Sequence, residues 1–170
     1  MNDIKVYHSI WKTLLIIIIS LAFTAGGIWI RHEHRFVAWL TILFFGGGGL
    51  FMFYVILKER VTKRPYLIIT DKSVTMTGAF NKTWEILFSD VTSFFPIKIR
   101  SAKMIGIKYK KNVADKKMDE SNKVGKAIRK MNMNIAQTQE TILASGMTIK
   151  PQQILDLLNE RLSASQENNA

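Results

Sequence analysis

A chain of 170 residues has room for one ordinary domain, yet 48% of its residues are hydrophobic and its formal net charge is +11. The near-neutral mean hydropathy of +0.08 averages two long uncharged runs with a strongly basic remainder. A soluble protein this small has no interior for two helices that are apolar on every side, so the composition argues against an ordinary soluble protein built around a single core.

The uncharged runs come first. Residues 13–30 (TLLIIIISLAFTAGGIWI) and 36–57 (FVAWLTILFFGGGGLFMFYVIL) carry no charge. As helices they would span ~27 and ~33 Å, against a bilayer core of ~30 Å. The five residues between them, Arg31-His32-Glu33-His34-Arg35, force a tight antiparallel transmembrane hairpin, so residues 1–64 read as an anchor. Gly46, Gly47, Gly48 and Gly49 would break a helix in water. In hydrocarbon the backbone must satisfy itself within the segment, and glycine lets two helices approach closely. Counting outward from Glu33 sets Gly46–Gly49 opposite about Ile17–Ser20, and Gly26 and Gly27 opposite about Trp39 and Leu40, small residues against large; a kink at the glycine run is the competing reading. A phosphate loop lacks its Lys-Ser/Thr, and Phe23 stands where a signal-peptide cleavage site needs a small residue. Trp11 and Trp29 suit the two membrane interfaces. Lys5, Lys12, Lys58, Arg60, Lys63 and Arg64 outnumber Arg31 and Arg35 six to two, which predicts both termini in the cytoplasm. The lack of cysteine fits that reducing compartment.

A second domain, 65–163, follows Pro65. Strands are expected at 66–70, 73–77, 83–88, 92–99, 104–109 and 141–149, with a corner at Ser89-Asp90-Val91. A charged helix is expected over 118–131, within a basic insertion at about 111–132. Pro151 opens a final helix whose Ile154, Leu155, Leu158 and Leu162 form one apolar stripe, and 164–170 is a polar tail.

Three segments carry a resemblance: Tyr66-Leu67-Ile68-Ile69-Thr70-Asp71-Lys72-Ser73-Val74, Trp84-Glu85-Ile86-Leu87-Phe88-Ser89-Asp90-Val91, and Ile149-Lys150-Pro151-Gln152-Gln153-Ile154-Leu155. With the hairpin, they resemble two-transmembrane bacterial proteins bearing a cytoplasmic pleckstrin-homology-like domain. That resemblance implies a membrane α-hairpin plus an α+β domain. The domain would be a meander or partly open barrel of six or seven short strands with a helical insertion and a C-terminal helix. It also implies an inner-membrane location, and far less about a reaction.

Residues 65–170 hold no histidine, and the carboxylates are scattered, so no catalytic constellation is visible. His32-Glu33-His34 reads as a polar turn in preference to a metal site. The spans lack the ionisable side chains that a transport pathway needs. Charge is what stands out: from Lys98 to Lys130 there are 12 Lys/Arg and 3 Asp/Glu. Lys98, Arg100, Lys103, Lys108, Lys110, Lys111, Lys116 and Lys117 form the candidate basic surface. We expect a non-enzymatic module without a cofactor, anchored in the lipid bilayer, that engages a protein partner, with an acidic one favoured by the field. Small anchored proteins of this kind include immunity-type factors that neutralise a toxin. The alternative is recognition of anionic lipid headgroups. Nucleic acid is disfavoured, since the stretch offers one aromatic, Tyr109, for stacking. The glycines could also pack between copies in an oligomer.

Overall fold

The computed structural model describes residues 3–78 and 82–167; Asn81 and the last three residues of the expected polar tail lie outside them. The chain divides into two compact units. One is Tyr7–Tyr66; the other is everything after it, together with a strand that precedes the hairpin.

In the first unit α1 (Ile10–Ile30) turns back through residues 31–34 into a second long helix. That second helix is α2 (Arg35–Thr41), a π-helical turn (Ile42–Gly46) and α3 (Gly47–Val61). The helices Ile10–Ile30 and Arg35–Val61 are long and apolar enough to cross a membrane, and their apolar windows bury only 11% and 6% of residues within the chain. The four glycines remain helical, with the wider π turn ending at Gly46. The helix stops where Thr62 N–H donates to the Lys58 carbonyl and Lys63 enters the left-handed region (φ 51°), just before Pro65.

At the glycine run the hairpin packs small against small, not small against large, whereas Gly27 does meet a large side chain, Ile42. A Cβ on Gly49 would lie 3.1 Å from Ser20 Cβ, and one on Gly46 would lie 3.5 Å from Thr24. One on Gly27 would meet Ile42, Thr41 and the Ala38 carbonyl at 3.1–3.3 Å. Gly26, Gly47 and Gly48 have no such neighbour within 4 Å. The glycine run therefore sits about one turn from the register counted outward from Glu33, because the loop and the π turn shift the second helix along the first. Phe23 stacks on Phe45 with ring centroids 4.5 Å apart. At the open end, the buried Glu59 carboxylate accepts the His8 N–H at 2.8 Å and meets His8 Nδ1 at 2.6 Å. It ties the chain entering α1 to the chain leaving α3.

The second unit is α+β. Strands β1 (Ile4–Val6), β2 (Leu67–Ile69), β3 (Ser73–Thr77) and β4 (Thr83–Leu87) form a four-stranded antiparallel sheet in that order. Val6 pairs with Leu67, so the whole apolar hairpin is an insertion in the connection between two adjacent strands. Residues 4–6, assigned to the anchor from the sequence, belong to this sheet. A 3-10 corner, Phe88–Asp90, leads into β5 (Val91–Ile99), β6 (Ala102–Tyr109) and β7 (Glu140–Leu143), a second antiparallel sheet.

The helical insertion between β6 and β7 is two helices, α4 (Lys111–Asp119) and α5 (Lys123–Ala136), where one was expected over 118–131. The break is local chemistry: Asn122 caps α5 by accepting the Gly125 N–H at 2.8 Å. The last strand ends at Leu143, short of the expected 149, because Ala144 and Ser145 both donate to the Lys103 carbonyl. Gly146 (φ 81°) then redirects the chain. Helix α6 (Pro151–Glu167) begins at its proline and buries Ile154, Leu155, Leu158 and Leu162, as its apolar stripe predicts. Each such side chain contributes ~1.5–3 kcal/mol. They join Phe88, Phe94, Ile105, Ile107 and Ile142 in the core, where the Phe88 and Phe94 rings meet edge to face at 6.1 Å. Arg161 of α6 pairs with Asp71 in the β2–β3 turn.

Candidate functional site

The basic residues separate into two exposed groups and one internal residue. The first group is the tip of the β5–β6 hairpin. Lys98 and Lys103 are register partners, and Arg100 occupies the two-residue turn between them. All three are exposed. Like charges opposed across a strand pair disfavour the pairing. Arg100 also adopts φ 55°, a left-handed conformation that such a turn normally gives to glycine or asparagine. Stability does not explain three cations at this tip.

The second group begins at the far end of β6, five residues and ~17 Å along the strand from Lys103. It comprises Lys108, Lys110, Lys111 and Lys116, all exposed. Lys110 is the N-cap of α4, its N–H bonded to the Asp90 carbonyl at 2.9 Å, and Lys111 is the first helical residue. Cations at a helix N-terminus oppose the helix dipole, and the first turn of α4 has no acid to offset them. Lys116 has a loose exposed contact with Glu120 at 3.9 Å. Seven of the eight residues thus make two patches, not one continuous surface.

Lys117 belongs to neither patch, because it faces the sheet. Its Nζ lies 4.8 Å from the Tyr109 ring centroid and 3.8 Å from Glu140 Oε2. Glu140, at the start of β7, is the hub of a polar clamp. It accepts the Tyr109 hydroxyl and pairs with Arg129 of α5 at 2.5 Å. Arg129 also donates to Ser121 Oγ at 2.9 Å, and Asn132 donates to the Gln139 carbonyl at 3.1 Å. Gln139 in turn donates to the Ala114 carbonyl of α4 at 3.1 Å. Burial first, and then the Glu140 carboxylate, push the Tyr109 phenol well above its ordinary value. This network holds both insertion helices against β6 and β7, and so fixes where the second basic patch points.

The inward face of α5 is therefore small and polar (Gly125, Arg129, Asn132, Ala136), while Val124, Ile128, Met131 and Ile135 point out to solvent. From the sequence this helix is expected only as a charged one. Its 4-3-4 apolar spacing was the available signal. Trp84 and Leu87 of the edge strand β4 are also exposed. His32, Glu33 and His34 are exposed in their turn, and among the described residues no group of three or more His, Cys, Asp or Glu is placed to hold a metal.

Comparison with protein-family models, with curated proteins and with solved structures gives no match to this chain.

Proposed function

We propose that this is a non-enzymatic binding module, anchored by two transmembrane helices in a bacterial inner membrane, whose pleckstrin-homology-like domain engages a protein partner at the cytoplasmic face. Support for the fold reading is the layout itself. Among the described residues, seven short strands run in chain order as sheets of four and three, with an insertion before the last strand and a closing helix on the second sheet. Support for the topology is the six-to-two excess of positive charge on the side of the termini.

The observation that carries the binding reading is the hairpin tip. Lys98, Arg100 and Lys103 crowd three exposed cations onto a turn whose backbone disfavours arginine. Such a tip suits an acidic protein surface, where rim charges mainly raise the association rate and its salt sensitivity. An immunity-type role, neutralising a toxin at the membrane, is one form this takes, on analogy alone. The test is capture of a partner from native membranes by the full chain, compared with Lys98→Gln/Arg100→Gln/Lys103→Gln. The reading expects capture of one protein that falls with added salt and falls in the triple variant; equal capture by both would overturn it. The alternative reading, in which the domain meets anionic lipid, is favoured by a different feature, the outward face of α5.

A further inference from the structure

The insertion is held to its domain by the wrong side of α5 for a soluble helix. Inward go Gly125, Arg129, Asn132 and Ala136; outward go Val124, Ile128, Met131 and Ile135, which are 67%, 50%, 53% and 57% exposed. At ~100° per residue these four fall on one stripe about 60° wide. The helix holds four cations (Lys123, Lys126, Arg129, Lys130) and no acid. Arg129 is consumed by Glu140, whereas Lys123 and Lys130 fall about 110–130° round the helix from the stripe, close enough for long side chains to reach up beside it.

A second copy fits this face poorly, since pairing two stripes would bring together two cationic helices with no carboxylate to answer them. A bilayer fits better. An apolar stripe bordered by lysines is the pattern of a helix lying in a membrane interface, with its apolar side among the acyl chains and its cations level with phosphates. This chain also carries two helices long and apolar enough to cross a membrane, so such a surface would be local to it. We propose that α5 docks on an anionic bilayer surface through Val124, Ile128, Met131 and Ile135, with Lys123 and Lys130 against the lipid phosphates. This goes beyond partner binding and uses different side chains from the hairpin tip, so either can fail without the other.

The absence of cysteine makes the test direct. Ile128→Cys, Met131→Cys and the control Met133→Cys, exposed but about 170° round the helix from the stripe, are each labelled with an environment-sensitive fluorophore in the full chain. Each is reconstituted in nanodiscs of phosphatidylcholine alone or mixed with phosphatidylglycerol, with and without brominated acyl chains. The expected result is a blue shift and bromolipid quenching at 128 and 131 in anionic discs, reduced by salt, with a water-like signal at 133. A second variant, Val124→Ser/Ile135→Ser carrying the label at 131, should lose the quenching. Emission at 128 and 131 that ignores lipid charge and is not quenched would overturn the proposal. So would a blue shift without quenching, which would mean that the stripe is covered by protein.

Discussion

Replacing Glu140 by glutamine keeps the shape of the side chain but removes the charge on which Tyr109, Arg129 and Lys117 converge. Hydrogen bonds to charged groups contribute roughly 1.5–3 kcal/mol each. The Arg129 contact is close and its side chain is mostly buried, so it carries most of the effect. Lys117, at 3.8 Å and partly exposed, adds less than about 1 kcal/mol. Glutamine still accepts one bond, which leaves a net loss of ~2 kcal/mol. Because the clamp joins α4 and α5 to the second sheet, the loss should appear as local opening. A loss of that size is about a 30-fold rise in the opening equilibrium. Hydrogen exchange on the full chain in detergent reads this directly. Peptides within 111–136 should exchange about 30-fold faster, while β2, β3 and β4 keep their protection. Unchanged exchange in 111–136, or equal loosening of both sheets, would refute the clamp.

Tyr109→Phe tests the same clamp by pH. The folded state holds the phenol proton more tightly than the unfolded chain, whose tyrosine titrates near 10.0. Stability from this group is therefore complete below pH ~10 and declines above it, by at most ~1.4 kcal/mol per pH unit. Urea titrations at pH 8 and pH 11 should show a wild-type advantage over Tyr109→Phe that shrinks at the higher pH; a constant gap would count against the assignment. In the hairpin, Gly27→Leu and Gly49→Leu should each cost ~1–3 kcal/mol through overpacking, whereas Gly47→Leu should be near neutral. Thermal unfolding in detergent distinguishes them, and a destabilising Gly47→Leu would point to packing between copies. For topology, a reporter after Ala170 should be cytoplasmic and a tag at Glu33 accessible from outside; the reverse would overturn the charge-based orientation.

Much of the fold was legible because it rests on local patterns. Uncharged length marks the two apolar helices, alternation marks Ser73–Thr77, and proline followed by an apolar stripe marks α6. What stayed hidden depended on partners distant in sequence. Ile4–Val6 is three residues long and becomes a strand only because Leu67–Ile69 pairs with it across the hairpin. Leu143 ends β7 because Lys103 captures the next two amides. The basic site was half visible: charge singled out the stretch, but only the fold shows that Lys98 and Lys103 face each other and that Lys117 turns inward.

Partner engagement at the β5–β6 tip is tested most directly by placing a photo-crosslinking side chain at Arg100 in the full-length protein and irradiating native membranes. Glu85 on strand β4, also exposed, serves as the control position. The account predicts one discrete protein adduct from position 100, weakened by salt and lost when Lys98 and Lys103 are changed to glutamine, with none from position 85. Lipid adducts alone at position 100, or the same protein adducts from both positions, would contradict it.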